Sequence, residues 1–288
     1  MKTLYSALFL VISTCLGHSA EDKVFKPDVS VVYKTIGETS LKLHIFNPSG
    51  HDASDTRPAV VFFFGGGWMK GSPSQFYPHC EYLAARGMVA MSAEYRVKSR
   101  DGTSPIECVK DAKSAIRWIR ANALELGINP NQVAAGGGSA GGHIAASAGT
   151  TTGFEEEGED TTISSIPNAL VLFNPVFDNG PGGYKHDWFN GYWEDFSPMH
   201  NINPKTPPTI VFLGTNDALI PVATAEEYKA RMEQQKLRCD LHLYEGKTHG
   251  FFNYKKTENY NETVAEMDRF LVSLGFLSAK SKTETTHE

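Results

Sequence analysis

From Val29 to Pro48 the chain reads VSVVYKTIGETSLKLHIFNP, with apolar and polar residues alternating on either side of Gly37, Glu38 and Thr39. A period of two around such a turn predicts an antiparallel hairpin with one buried face. Beyond it the alternation stops. AVVFFF (59–64), MVAMSAEY (88–95), QVAAG (132–136), ALVLFN (169–174) and TIVFLG (209–214) are short continuous apolar runs. Strands covered on both faces have this pattern. CDLHLYEG (239–246) reads as a last strand, and residues 75–86, 106–126, 143–148, 224–235 and 261–274 read as helices. Alternating strands and helices predict an α/β fold: a mostly parallel sheet with an N-terminal antiparallel hairpin and helices on both faces.

Two segments interrupt the rhythm. Residues 151–168 are acidic and rich in turn formers, which predicts a solvated loop. Residues 176–204 form a long connection rich in glycine and aromatic residues, of the kind that carries ligand contacts above a rigid sheet.

The 288 residues, 41% of them hydrophobic, can bury one large core. One catalytic domain is therefore expected over residues 21–277, with a disordered tail at 278–288. Residues 1–20 place Lys2 before an apolar run from Leu4 to Leu16 and small residues before Glu21. That is the pattern of a secretory signal cleaved after Ala20, and it predicts export to the periplasm or the exterior. The run is shorter than the roughly 20 residues that span a bilayer, and no other segment is long and apolar enough. A net charge of −6 and a pI near 5.9 leave no basic footprint, which argues against nucleic acid and anionic membranes as partners. Beyond the signal, Cys80, Cys108 and Cys239 are odd in number and lack C-x-x-C spacing. Neither a disulfide framework nor a zinc site is indicated, although one disulfide with a free thiol stays open.

The chemistry concentrates in QVAAGGGSAGGHIAASAG (132–149), where a glycine cluster joins an apolar run to an alanine-rich helix. Gly136, Gly138 and Gly141 satisfy the dinucleotide pattern G-x-G-x-x-G. That reading requires an acidic residue at the end of the next strand, and Glu155–Glu157 lie in a loop instead. Gly137-Gly138-Ser139-Ala140-Gly141 also satisfies G-x-S-x-G, in which a serine on a tight strand-to-helix turn is the nucleophile. This second reading demands an acid, then a histidine, each on a loop after a later strand. Asp217 follows TIVFLG and His249 follows CDLHLYEG, in that order. Upstream, FFFGGGW places a glycine run after a buried strand, where free backbone N–H groups can face an oxyanion.

With GGGW, AEYR, KDAKSAIRWIR, GGGSAGGHIAA, GTNDALIPV and KTHGFF in register, the chain resembles the α/β-hydrolases of the hormone-sensitive-lipase-like and carbohydrate-esterase type over essentially its whole mature length. The resemblance implies Ser139 as nucleophile, His249 as base and Asp217 as the orienting acid, with Asp178 the next candidate. Backbone N–H groups of Gly66, Gly67 and Ala140 would form the oxyanion hole, and no cofactor or metal is required. Two positions depart from the common pattern: Phe64 stands where many relatives have histidine, and Gly138 where many have aspartate. Phenylalanine cannot hydrogen-bond the oxyanion loop, so packing of Phe64 and Trp68 is expected to hold it.

His143, four residues along the helix from Ser139, is expected to pack or cap. Tyr95, Arg96 and Asp111 are expected to form a buried polar arrangement. Trp68, Tyr184, Trp188, Phe189, Tyr192 and Trp193 either line the substrate pocket or pack the long loop. The function implied is a secreted serine carboxylesterase for short acyl esters, with acetyl esters of carbohydrate favoured and feruloyl esters behind. The partner is then a small-molecule or oligosaccharide ester. An amidase or formamidase using the same groups, and a non-catalytic binding protein of the same fold, are the alternatives.

Overall fold

A computed structural model describes residues 23–280; the signal expected at 1–20 and the tail beyond 280 lie outside the described residues. Eight strands build one sheet: β1 (Val29–Ile36), β2 (Thr39–Phe46), β3 (Arg57–Phe63), β4 (Val89–Ala93), β5 (Ile128–Gly138), β6 (Ala169–Phe173), β7 (Thr209–Gly214) and β8 (Cys239–Tyr244). Their spatial order is β1-β2-β4-β3-β5-β6-β7-β8. The β1–β2 hairpin pairs antiparallel, and β2 joins β4 antiparallel. Every other pairing is parallel. The helices are α1 (Tyr77–Ala85), α2 (Lys98–Asp101), α3 (Pro105–Ala121), α4 (Ala140–Thr150), α5 (Trp193–Phe196), α6 (Val222–Gln234) and α7 (Thr257–Ser273).

The continuous apolar runs divide their side chains between two cores, as the pleat requires. Val60, Phe62, Val171, Phe173, Ile210 and Phe212 face one layer with Leu83 of α1 and Met267, Phe270 and Leu271 of α7. Val61, Phe63, Leu170, Leu172, Val211 and Leu213 face the other, with Ile116 of α3, Ile144 of α4 and Tyr228 of α6. Helix α3 starts at a capping box: Glu107 accepts from the Ser104 N–H, the Ser104 hydroxyl accepts from the start of the helix, and Pro105 opens the first turn.

Three expectations need correction. Helix α4 begins at Ala140 rather than His143, directly against the serine, because the glycines of 141–142 are helical. The long connection is not irregular throughout; it holds α5 and single turns at His186–Trp188 and Pro198–Asn201. The acidic segment 151–168 is a loop with many exposed residues, as expected, but three of its glutamates are not left to solvent. Glu155 pairs with Lys113 and Arg117, Glu159 with Arg117, and Glu156 with Lys34 and Arg96. Lys34 and Arg96 also share Asp111, whose side chain is fully buried, which is the polar arrangement expected around Arg96. Lys113 and Arg117 of α3 are buried, and a buried cation needs a counter-charge, so the acidic loop is drawn in against the helix.

Among the described residues Cys80, Cys108 and Cys239 are all free and buried, so the disulfide left open does not form between them. Among the described residues no helix is long and apolar enough to cross a membrane, and no cluster of His, Cys, Asp and Glu could hold a metal ion.

Candidate active site

The carboxyl ends of the parallel strands converge on one cleft, the usual place for ligands in an open α/β sheet. Loops after β3, β5, β6, β7 and β8 deliver respectively Gly65–Gly67, Ser139, Asn174, Asp217 and His249. The cleft has a volume of about 710 Å³, and Ser139, Asn174, His249, Gly66 and Gly67 are in its lining.

Ser139 sits at φ +54°, ψ −120°, a backbone conformation that a non-glycine residue rarely adopts. The turn is held by Ser139 N–H donating to the Phe173 carbonyl at 2.9 Å, while the Ser139 carbonyl accepts from His143 and Val176. The bareness of the sequence here follows from closeness. A Cβ on Gly137 would stand 2.5 Å from the Gly141 backbone and the Phe63 carbonyl, and one on Gly141 would stand 2.0 Å from that same carbonyl. Only glycine lets α4 start so near β3 and so present the serine.

Ser139 Oγ lies 2.9 Å from His249 Nε2, and His249 Nδ1 lies 2.7 Å from Asp217 Oδ2. Because an ionised carboxylate only accepts, Nδ1 carries the proton and Nε2 is free to accept from the serine hydroxyl. Asp217 Oδ1 accepts from the N–H groups of Leu219 and Ile220 at 2.9 and 3.0 Å. Burial works against its charge, but the bonds from His249, Leu219 and Ile220 hold its carboxyl below the usual range. Asp178, the other candidate acid, binds the Gly180 N–H on a different loop and approaches His200 at 3.9 Å.

Gly66 and Gly67 line the same cleft as Ser139, Ala140 follows the serine in the chain, and among the described residues none of their N–H groups donates to a backbone or side-chain acceptor outside α4. The loop that carries the first two is held in a way the sequence did not suggest. Gln75 Oε1 accepts from Gly65 N–H at 2.7 Å, and the Tyr95 hydroxyl donates to the Phe64 carbonyl at 2.6 Å. The Phe64 ring stacks on Tyr95 with centroids 4.1 Å apart. Gln75 Nε2 then donates to Asn253, and Asn253 donates to the Gly250 carbonyl. Asn174 closes the chain by accepting from Gly250 N–H at 2.9 Å, with its Nδ2 3.4 Å from His249 Nε2. Gln75, Asn174 and Asn253 thus tie the glycine loop to the histidine loop. Sequence reading missed all three, since nothing marks an isolated amide in a strand end or turn.

Of the aromatic candidates, Tyr184 borders the cleft. Trp68 does not: it is buried between His143, Tyr184, Phe189 and Phe196, where it packs the long loop against α4. Trp188 is half-exposed beside the cleft rather than in it, lining a neighbouring pocket with Trp68 and Tyr192.

His143 packs against Trp68 and Phe196, as its helical offset implied. His79 is enclosed by Phe62, Phe76, Phe173, Phe252 and Tyr260. Burial pushes the pKa of both imidazoles down to about 3. Each is neutral when folded but takes a proton below about pH 6.5 when unfolded. Folding stability is therefore full above that pH and declines as the pH falls from about 6.5 towards 3. Replacing His79 with leucine should make the stability lost between pH 7 and pH 5 smaller by about 2 kcal/mol, from urea midpoints at the two pH values. An identical loss in the variant contradicts a neutral buried imidazole.

The BD-FAE family matches residues 43–177, and the dienelactone hydrolase family matches residues 191–277. Thermogutta terrifontis esterase 2 phosphoramylated by tabun is 45% identical, over 88% of this chain and 96% of that chain, with a TM-score of 0.85. The propionate-bound form of the same esterase is 46% identical with the same coverage and a TM-score of 0.84. Esterase LipC of Mycobacterium tuberculosis is 30% identical over 62% of this chain and 49% of its own length. The chain spans about half the length of the curated relatives it matches.

Proposed function

From the premise that the chain belongs to the α/β-hydrolase esterases of the hormone-sensitive-lipase and BD-FAE type, and is a carboxylic ester hydrolase, we propose that Ser139, His249 and Asp217 are its catalytic groups and that short acyl esters of carbohydrates are its substrates. The observation that carries this reading is the unbroken line from Ser139 Oγ through His249 to Asp217 beside unpaired N–H groups.

In the reaction, Ser139 Oγ attacks the ester carbonyl while His249 Nε2 takes its proton, and Asp217 steadies the imidazolium that results. The carbonyl oxygen, now anionic, is met by the N–H groups of Gly66, Gly67 and Ala140. Each such donor contributes on the order of 10²-fold to 10³-fold in rate. His249 then protonates the departing alkoxide, leaving an acyl-serine. Water loses a proton to the same nitrogen, attacks the acyl carbon and regenerates the serine.

Propionate and butyrate have been bound in Thermogutta terrifontis esterase 2, which supports a short acyl group here. The exposed hydroxyls of Ser72 and Ser74 in the cleft lining support a hydroxyl-rich alcohol. Export through residues 1–20 belongs to the same reading.

Treatment with a fluorophosphonate should place one adduct on the peptide containing Ser139, located by mass spectrometry. A series of p-nitrophenyl esters should show kcat/KM falling from acetate to decanoate, and acetylated xylooligosaccharides should release acetate. Labelling elsewhere, or a preference for decanoate, overturns the corresponding part of the reading.

A further inference from the structure

Among the described residues the buried cations Lys34, Arg96, Lys113 and Arg117 each meet a carboxylate. Lys185, in the lining of the cleft, and Lys98, in the lining of a neighbouring pocket, are treated differently. Lys185 Nζ stands 3.8 Å from the centroid of the Trp188 ring and 5.5 Å from that of Tyr184. Lys98 Nζ, from helix α2, stands 5.5 Å from the same Trp188 ring. Among the described residues neither ammonium meets a carboxylate within ion-pair distance. Lys185 also occupies the left-handed region at φ +55°, a costly conformation for a long side chain. That backbone brings Nζ within 3.4 Å of where a Cβ on Gly67 would stand, against the oxyanion loop itself. Burial, and then the charge of Lys98, lower the pKa of Lys185.

Beside this pair is a pocket of about 280 Å³ lined by Trp68, Met69, Lys98, Thr103, Trp188 and Tyr192. Trp68 Nε1 and Thr103 Oγ1 are buried with no hydrogen-bond partner among the described residues. An indole N–H can only donate, and an ammonium can only donate. The indole face attracts the two cations but supplies no acceptor. A group with several acceptor atoms and a negative charge meets the demand of both ammonium groups at once.

We propose that Lys185 and Lys98, seated on Trp188 beside the oxyanion loop, form a subsite that selects esters bearing a carboxylate a few bonds from the scissile carbonyl. This rests on the esterase reading above and names a substrate class for the same cleft. The carboxylate belongs either to the acyl group, as in a dicarboxylic half-ester, or to the alcohol, as in an O-acylated acidic sugar.

The test compares kcat/KM for two matched pairs: p-nitrophenyl hemisuccinate against p-nitrophenyl succinamate for the acyl side, and 4-acetoxybenzoate against 4-acetoxybenzamide for the alcohol side. In the wild type at low salt, one pair should favour the anion by about tenfold, and sodium chloride should reduce that ratio. Lys185→Met and Lys98→Met should each lower the same ratio by about fivefold, as expected for a partly exposed charge pair, while Lys185→Arg should restore it. The responding pair identifies the side. Ratios at or below one in both pairs, or ratios unchanged in both methionine variants, overturn the subsite. Absence of turnover with all four esters strikes instead at the esterase reading, and the subsite falls with it.

Discussion

Ser139→Ala is expected to lower kcat for p-nitrophenyl acetate by on the order of 10⁴-fold or more, with the fold intact. The change removes the atom that becomes acylated and nothing else that binds. Alanine fills the same turn at φ +54° without a new clash, since only Oγ is lost, and the N–H of residue 139 still donates to the Phe173 carbonyl. What catalysis remains should come from Gly66, Gly67 and Ala140 acting on bound ester. The measurement is initial rate with active-site titration of the wild type, alongside circular dichroism and the loss of the fluorophosphonate adduct. A variant within tenfold of wild type would falsify the nucleophile assignment.

Asp217→Asn should cost about 10⁴-fold in kcat near neutral pH, nearly as much as loss of the serine, although the shapes are the same. The N–H groups of Leu219 and Ile220 both point at Oδ1, so the asparagine carbonyl must take that place. Its NH₂ group then faces His249 Nδ1. Donor meets donor unless the imidazole moves its proton to Nε2, where it confronts the serine hydroxyl and can no longer accept. The same substitution at Asp178, which accepts from the Gly180 N–H and lies near His200 on a different loop, should leave the Ser139 to Asp217 line undisturbed. If the two asparagine variants lose activity equally, the acid has been misassigned.

The strands and the long helices were legible because each apolar run had to be buried on two faces, and the structure places every one of them in the sheet. Ser139, Asp217 and His249 were legible through their order and their positions just past strands, and the structure brings their side chains into contact. Less legible were features created by contact between remote segments. Glu155 and Glu159 read as solvated because their partners, Lys113 and Arg117, lie about forty positions away on α3. Those bases recur four apart on the same side as the apolar residues Val109, Ala112 and Ile116, a signal that could have warned of buried charge. Gln75 and Asn253 meet across 178 positions, and no local pattern records such a pair. Trp68 was ambiguous for another reason: an aromatic after a glycine run can point either way, and here it turns into the core.

The crowding behind Ser139 also bears on how this scaffold can change. Since Gly137 and Gly141 are wedged against the Phe63 carbonyl, a mutagenesis library spread evenly over the chain would waste its diversity there. Altered selectivity has to be evolved on the rim, from Tyr184 and Lys185 to the turn at Leu219, where side chains border the cleft and substitutions leave the elbow untouched.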